Sequence, residues 1–337
     1  MKNNFTRKLG RSGIEVSPMG LGCWAIGGNI FLQGMPLGWS TVDDNESLNA
    51  LRLGLDLGIN FLDTADMYGT GHSEKLVGQA IKGKRDKVVI ATKFGMTFEP
   101  GSGQINDFEG DGNPEYIRKA VEDSLTRLQT DYIDLYQLHL DSYPLDKAQA
   151  TRDALEELVK EGKIRGYGWS TDHTERAAFF AEGENCIAIQ QIFNLFVGNK
   201  DILQLCEDKN LASINRGPLA MGLLTGKFST ATNLPADDVR SILHHFGDEY
   251  HIFFSDGKPV KELLDKLDAI GEILKSNGRT LAQGALAWLW AKSENTIPIP
   301  GFKTVKQVEE NAGAMQFGPL SGGQMKEIDS ILHKESE

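Results

Sequence analysis

The sequence predicts an α/β protein folded as a (β/α)8 TIM barrel with long loops at its C-terminal mouth. Eight short apolar segments recur along the 337 residues, and helical patterns separate nearly all of them, which is typical of a parallel sheet that closes on itself. One segment, Val88–Lys93, is apolar almost throughout, like strands buried on both faces. The length suits one barrel, and we expect residues 1–337 to form a single domain.

Turn residues and helix caps mark where the predicted elements begin and end. Pro114 suits the first position of a helix, and Gly58 and Gly162 suit helix ends. The predicted strands are Met19–Cys23, Ile59–Asp63, Val88–Lys93, Ile133–His139, Ile164–Ser170, Ile187–Gln190, Ala212–Arg216 and Thr296–Ile299. Apolar residues at helical spacing predict helices at Asp43–Leu57, Ser73–Ile81, Pro114–Leu128, Asp146–Glu161, Thr174–Ala181, Asp201–Lys209, Val260–Ser276 and Leu281–Ala291, and a further helix that opens at Lys303.

Three long connections are predicted to wall a pocket at the mouth of the barrel. They are Ala25–Ser40, Met96–Asn113 and Thr230–Lys258, and the first carries aromatic residues that a plain surface loop would not favour. A hairpin with a glycine turn is predicted over Leu9–Ser17. A doubly wound open sheet is the alternative fold, and it is disfavoured because no Gly-x-Gly-x-x-Gly sequence follows the first strand.

Charge and cysteine content narrow the class of protein. The formal net charge is −12 and no run of Lys or Arg stands out, which disfavours a nucleic-acid-binding protein. Three cysteines far apart in sequence fit reduced thiols better than a disulfide framework or a zinc site. No signal-peptide pattern and no apolar stretch of membrane-spanning length is present. We therefore expect a cytoplasmic protein without a nucleic-acid or membrane partner, and the sequence does not indicate its oligomeric state.

Polar or reactive residues end six of the eight predicted strands, and this is the main functional signal. They are Asp63, Lys93, His139, Ser170, Gln190 and Arg216. Each alone has an ordinary structural explanation, such as a turn, a helix cap or a cation at the rim. In a barrel, however, the carboxyl ends of the strands converge on one face, where active sites lie. The set therefore predicts an active site at that face.

A phenol close to an ammonium suggests proton transfer as the chemistry of this site. Tyr68 follows Asp63 by five residues. The ammonium of Lys93 would lower the phenol pKa from its reference value of about 10, Asp63 would hold Lys93 charged, and His139 could donate to a carbonyl oxygen. These groups would deliver a proton to a carbonyl as negative charge develops on it. No metal-ligand set accompanies them, so a cofactor has to supply the hydride.

A phosphate site is predicted where the last strand meets its helix. The segment Pro298–Asn311 combines a strand, a turn and a helix start, and the N-terminus of a helix after a late barrel strand binds phosphate readily. Lys303 adds a cation at that point. The alternative is a plain helix with an exposed lysine, and the segment alone favours neither.

Five motifs together resemble those of the aldo-keto reductases, over about Leu9 to Gln316. They are Gly58–Gly69 (GINFLDTADMYG), Ile90–Lys93 (IATK), Asp134–His139 (DLYQLH), Gly217–Leu219 (GPL) through Gly226–Lys227 (GK), and Ile299–Gly301 (IPG) through Glu310–Asn311 (EN). The resemblance implies a barrel that binds NADPH across its C-terminal mouth without a Rossmann domain. It also implies Tyr68 as proton donor, Lys93 and Asp63 as the pair that tunes it, and His139 as the group that orients the carbonyl.

The same resemblance implies where the cofactor lies. Ser170, Thr171 and Gln190 match the carboxamide contacts, Gly217, Pro218, Leu219, Ala220 and Lys227 the pyrophosphate loop, Lys303 the 2′-phosphate contact, and Gln307, Glu310 and Asn311 the adenosine contacts. Trp24, Asp63, Arg216 and Gly301 complete the expected cofactor site. Lys303 favours NADP(H) as the cofactor, although Glu310 leaves some room for NAD(H).

Three residues depart from the family pattern. Thr171 stands where Asn is usual, so one carboxamide contact is expected to be weaker. Phe193 stands where Tyr is common, which we interpret as a packing change. Arg216 stands where an aromatic side chain usually stacks on the nicotinamide. A guanidinium can stack but is positive, so Arg216 is expected to disfavour the cationic oxidised ring relative to the reduced ring.

The leading functional interpretation is a reductase of aldehydes or ketones, or an alcohol dehydrogenase running the reverse reaction, with a sugar-like carbonyl as one candidate substrate. Candidate substrate-contacting residues are Trp24, Trp39, Tyr68, Phe94 and His139. The rival is a regulatory subunit that binds NADPH and acts through a protein partner, like the channel β-subunits of the same fold. The complete set of Asp63, Tyr68, Lys93 and His139 favours turnover. A metal-dependent barrel hydrolase is a third option but lacks ligands.

Overall fold

Eight parallel strands form the sheet at the centre of the protein, in a computed structural model that describes residues 5–39, 42–107, 109–235, 238–242 and 252–334. They are β1 (Gly20–Gly22), β2 (Phe61–Asp63), β3 (Val89–Phe94), β4 (Leu135–Leu138), β5 (Tyr167–Ser170), β6 (Cys186–Ile192), β7 (Ala212–Arg216) and β8 (Thr296–Pro298). Each pairs with the next along the chain, and a bridge between Gly22 and Gly301 brings the two edges together. The predicted barrel is confirmed, and the strand bounds differ from prediction by at most three residues.

Helices connect the strands and cover the outside of the sheet. They are α1 (Asp44–Asp56), α2 (His72–Ala80), α3 (Pro114–Leu128), α4 (Leu145–Lys160), α5 (Thr174–Ala181), α6 (Lys200–Asp208), α7 (Val239–Ile242), α8 (Lys261–Leu274), α9 (Leu281–Lys292), α10 (Val305–Gly313) and α11 (Gly322–Lys334). All but α7 and α11 are predicted from the sequence, with starts within two residues. Within the described part of the chain, no helix is long and apolar enough to cross a membrane.

Strand alternation separates an apolar layer inside the barrel from a polar layer at its mouth. Side chains two residues apart on a strand share a face. Phe61, Ala91 and Leu135 belong to one buried apolar cluster inside the barrel, so Asp63, Lys93 and Gln137 point inward two residues later, nearer the mouth. The parallel register places Lys93 opposite Gln137 and Asp63 opposite Ala91, two residues before Lys93. The fold thereby gathers polar side chains from separate strands into one layer.

The N-terminal hairpin covers the end of the barrel opposite the mouth. Its strands, Arg7–Lys8 and Glu15–Val16, pair antiparallel, and Leu9 and Val16 join the apolar cluster inside the barrel. Gly10 has a φ of 54°, and a Cβ there would lie 2.2 Å from the carbonyl oxygen of Ile187. Only glycine tolerates this close approach of two backbones. The predicted hairpin is therefore confirmed, with its turn packed against β6.

The long connections contain more structure than the sequence predicts. Phe31–Leu32 pairs with Met35–Pro36 and also with Gln104–Ile105, which joins the first and second connections in one small sheet. In the third connection, Phe254–Ser255 pairs with Lys258–Pro259. Parts of the predicted loops lie outside the described residues, namely 40, 108, 236–237 and 243–251. The described parts form an ordered wall on the mouth side of the barrel.

Candidate active site

Lys93 lies at the centre of the polar layer, fully buried near the mouth of the barrel. Its ammonium donates to Asp63 Oδ1 at 2.6 Å and to the backbone carbonyl of Thr64 at 2.9 Å. The third contact is the hydroxyl of Tyr68, whose Oη lies 3.4 Å from Lys93 Nζ. An ammonium has three protons, and these three oxygens use all of them. The phenol and the amine therefore face each other, as proton transfer requires.

Two amides fix the carboxylate that holds Lys93. Gln190 Nε2 donates to Asp63 Oδ2 at 2.9 Å, and Gln137 Nε2 lies 3.3 Å from the same oxygen. Gln190 is also 3.2 Å from Gln137 Oε1. The sequence analysis does not single out Gln137, although its place midway between Leu135 and His139 already implies an inward side chain. A buried carboxylate is tolerated only when its oxygens are hydrogen-bonded, and these contacts supply that.

Burial, rather than the ammonium, decides the net pKa shift of the phenol. Burial raises the pKa of Tyr68, Lys93 opposes the shift, and Asp63 adds to it, so the pKa ends above its ordinary value. The expectation of a lowered phenol pKa is therefore wrong in its net direction. Burial also disfavours the charged form of Lys93, but Asp63 and Tyr68 outweigh it and raise the ammonium pKa. At neutral pH the pair is a charged ammonium beside a protonated phenol, which is a proton donor.

His139 follows β4 and lies edge-on to the phenol. The two rings are 5.8 Å apart at 81°. Burial lowers the pKa of His139 well below its ordinary value, and the positive charges of Lys93 and Arg216 lower it further. Its Nδ1 is buried without a hydrogen-bond partner among the described residues. The imidazole is therefore neutral, with one ring nitrogen as donor and the other as acceptor.

Two tryptophans cover the phenol, and one predicted pocket residue does not. Trp24 stacks on Tyr68 at 6.2 Å and 25°, and Trp39 meets Trp24 edge-on at 5.3 Å. Phe94, predicted to line the pocket, is fully buried and stacks on Tyr136 at 4.6 Å. This prediction is wrong because Phe94 directly follows the inward-pointing Lys93, and neighbouring residues on a strand point to opposite faces.

The end of β5 and the end of β7 meet at the rim. Ser170 and Thr171 are buried, and the Thr171 hydroxyl donates to the carbonyl of Asp141 at 2.9 Å. Arg216 pairs with the carboxylate of Asp172, whose other oxygen accepts from the backbone N–H of Ile192 at 2.8 Å. About a third of each charged side chain is exposed. Asp172 therefore offsets the positive charge of Arg216, which the expectation from the sequence considers without a partner.

The segment after β7, which is the predicted pyrophosphate loop, has an unusual backbone. Gly217 is left-handed, and so are the non-glycine residues Ala220 and Met221, with φ of 49° and 54°. Such strained residues collect at ligand-binding loops. Pro218 and Leu219 are buried between them. The strained backbone therefore makes Gly217–Met221 a candidate ligand-binding loop.

Three cations gather beside this loop. Burial lowers the pKa of Lys227, the charges of Arg240 and Lys303 lower it further, and the carboxylates of Asp238 and Glu310 oppose the shift. Arg240, which the sequence pattern does not identify, makes a bidentate contact with Asp238 at 2.6 and 2.8 Å. A polyanion would be attracted to these three cations. The cluster fits phosphate groups.

The start of α10 already has partners for several of its N–H groups. Thr304 and Gln307 form a reciprocal capping box, and Glu46 Oε1 accepts from the backbone N–H of Val305 at 2.8 Å. Gln307 also accepts from the backbone N–H of Lys303 at 2.7 Å. A phosphate here would therefore depend on side-chain cations more than on the helix N-terminus. Farther along α10, Asn311 is buried and Glu310 is partly exposed. Gly301, which precedes the helix, is exposed.

Comparisons with known proteins agree with this architecture. The model of the aldo/keto reductase family matches residues 18–333, and the chain belongs to that family. An aldo-keto reductase from Schizosaccharomyces pombe, yakc [NADP(+)], is 33% identical over 332 residues, 96% of this chain and 90% of its own. The glycerol dehydrogenase AKR11B4 from Gluconobacter oxydans superposes with a TM-score of 0.80 at 32% identity, covering 99% and 96% of the chains. An aldo-keto reductase from Klebsiella pneumoniae in complex with NADPH gives 0.68 at 29%, covering 97% and 95%.

The neutral state of His139 predicts how stability depends on pH. An unfolded chain binds a proton at this imidazole below about pH 6.5, whereas the folded protein does not because its pKa is lowered. The unfolded state then binds more protons, so the free energy of unfolding falls as the pH falls. Denaturant titrations between pH 7 and pH 5 should show a shallower decrease for His139→Asn than for the wild type. Parallel decreases would show that His139 is not held neutral.

Proposed function

We propose that this protein is an NADP(H)-dependent oxidoreductase that interconverts a carbonyl and an alcohol, with Tyr68 as the general acid or base. The observation that carries the proposal is the buried ammonium of Lys93, placed between Asp63 at 2.6 Å and the Tyr68 hydroxyl at 3.4 Å. Family membership supports the reaction class, because the relatives reported above include reductases and a glycerol dehydrogenase. The reverse direction, oxidation of an alcohol, uses the same groups.

The cation cluster supports NADP(H) as the cofactor. Lys227, Arg240 and Lys303 would hold its phosphates, and the cluster's mutual repulsion fits a ligand with several negative charges. Ser170, Thr171 and Gln190 would lie near the carboxamide at the opposite end. The names of two relatives mention NADP(+) and NADPH, which agrees with this choice. When bound, the cofactor supplies or accepts the hydride at the carbonyl carbon.

The side chains would divide the remaining work of carbonyl reduction. The neutral His139 donates a hydrogen bond that orients the carbonyl oxygen, and the Tyr68 hydroxyl gives its proton to that oxygen as negative charge develops. Lys93 stabilises the phenolate that remains, because its ammonium is already 3.4 Å away. Asp63 keeps the ammonium charged. In the reverse direction, the phenolate takes the proton from the alcohol.

Removal of the phenol hydroxyl tests this proposal. Wild-type protein should consume NADPH with 4-nitrobenzaldehyde, and Tyr68→Phe should lower kcat by about 10²-fold or more, the size of a general-acid contribution. NADPH binding should be nearly unchanged, since the ring remains. Tyr132→Phe is the matched control, because Tyr132 packs under Arg85 at 3.8 Å, away from the site. Tight NADPH binding without turnover of any carbonyl in a panel would instead favour the regulatory-subunit interpretation.

The pairing of Arg216 with Asp172 predicts a change in redox preference when the pair is broken. Asp172→Asn removes the negative charge but retains an oxygen for the Ile192 N–H, and so exposes the positive charge of Arg216 beside the nicotinamide. The ratio of NADP+ to NADPH dissociation constants should rise about two- to five-fold, the scale of a partly exposed ion pair. Arg216→Tyr should leave the ratio close to that of the wild type. An unchanged ratio in Asp172→Asn would contradict this role for the pair.

A further inference from the structure

Trp39 touches both the cation cluster and Trp24. Together, Trp24 and Trp39 form an aromatic cover over the phenol of Tyr68. The backbone carbonyl of Trp39 accepts a hydrogen bond from the ammonium of Lys303. Its indole ring lies beneath the guanidinium of Arg240, with the Cζ atom 5.0 Å from the ring centroid. Its other edge meets Trp24, which stacks on Tyr68. A short chain of contacts therefore leads from two of the proposed phosphate-binding cations to the proton donor.

The loop segments around Trp39 close over Tyr68 in this arrangement. Ile30, Leu32 and Leu37, from the same connection as Trp39, form one apolar cluster with Tyr68. Ile242 of α7 packs against that cluster, two residues from Arg240. Tyr68 is 9% exposed. Movement of this cover would therefore widen the path by which a carbonyl oxygen reaches the Tyr68 hydroxyl.

The closed cover leaves two polar groups without partners. The indole N–H groups of Trp24 and Trp39 are both buried, and neither has a hydrogen-bond partner among the described residues. A buried donor without a partner destabilises the arrangement that buries it. An arrangement in which the indoles separate would let water or substrate oxygens accept these hydrogen bonds. The two unpartnered indole N–H groups therefore favour opening of the cover once the contacts that hold Trp39 in place are released.

Arg240 and Lys303 make these contacts, and they are also the groups that a phosphate would attract. Arg240 lies within 5.5 Å of the rings of Trp39, Phe228 and Phe254, and it is held by the carboxylate of Asp238. A charged hydrogen bond to phosphate is stronger than one to a neutral carbonyl. Lys303 would therefore exchange the Trp39 carbonyl for the 2′-phosphate, and the backbone at Trp39 would lose its charged donor.

From these contacts we infer that Trp39 is a positioning residue that couples the cofactor's 2′-phosphate to access to Tyr68. Without that phosphate, Lys303 and Arg240 hold Trp39 against Trp24 and the cover stays closed. When the 2′-phosphate is bound, Lys303 and Arg240 hold Trp39 less tightly, and the carbonyl of the substrate reaches the Tyr68 hydroxyl. This inference rests on the proposed use of NADP(H), and it concerns which cofactor opens the pocket rather than whether the reaction occurs.

Intrinsic fluorescence of the protein without cofactor tests the coupling directly. The signal of Trp39 is isolated by subtracting the emission of Trp39→Phe from that of the wild type. Titration with 2′,5′-ADP, which carries the 2′-phosphate but no nicotinamide, should change this difference signal. Titration with 5′-AMP to equal occupancy, measured by calorimetry, should leave it unchanged. Lys303→Met should lose most of the response to 2′,5′-ADP at equal occupancy, whereas Lys306→Met, one turn away on α10, should keep it.

Steady-state kinetics supply the second readout. At saturating cofactor, the carbonyl KM of the wild type should be about five-fold lower or more with NADPH than with NADH, the usual range of coupling between sites. In Trp39→Leu the two KM values should be equal. Equal wild-type KM values, or a Trp39 signal that responds alike to 2′,5′-ADP and 5′-AMP, would overturn the coupling alone. Failure of 2′,5′-ADP to bind by calorimetry would overturn both the proposed cofactor and the coupling.

Discussion

An ammonium removed from water has to be surrounded by oxygens, and in this barrel three groups supply them to Lys93. Asp63 ends the neighbouring strand, the Thr64 carbonyl follows it, and the Tyr68 hydroxyl comes from the loop beyond. Desolvation of an isolated ammonium costs several kcal/mol, and each of the three contacts offsets part of that cost. The amides that bind Asp63 and the strand register that aligns β2 with β3 can be understood as the means of keeping the ammonium charged. The ammonium faces the Tyr68 hydroxyl, and this contact suits that hydroxyl to proton transfer.

The loops at the mouth of the barrel are also held together by contacts between distant parts of the chain. Three connections far apart in sequence form one wall over Tyr68, because Phe31–Leu32 pairs with Gln104–Ile105 and Ile242 packs on the same apolar cluster. The cations suited to a phosphate touch this wall through Trp39. The proposed coupling between cofactor binding and access to Tyr68 needs no movement of the strands, since the contacts that carry it lie in the loops.

The sequence predicts the barrel well because its signals are local: apolar runs of strand length, helix starts such as Pro114, and a polar residue at the end of most strands. It predicts Asp63, Tyr68, Lys93 and His139 as one set for the same reason. Alternation along a strand would also have placed Gln137 inward and Phe94 outward. The net pKa of Tyr68 could not be predicted, because it depends on how completely the folded loops remove water. Arg240 and Asp172 could not be found either, since their positions depend on pairings between distant segments.

Tyr68 is a protonated phenol whose pKa is raised by burial and partly lowered again by the buried ammonium of Lys93. The most direct measurement is the alkaline titration of tyrosinate absorbance, with the Tyr68 component obtained as the difference between wild type and Tyr68→Phe. The account predicts that this component titrates above pH 10, about the reference value for a phenol, and at still higher pH in Lys93→Met. Ionisation of Tyr68 near neutral pH, or a titration that is the same with and without Lys93, would contradict it.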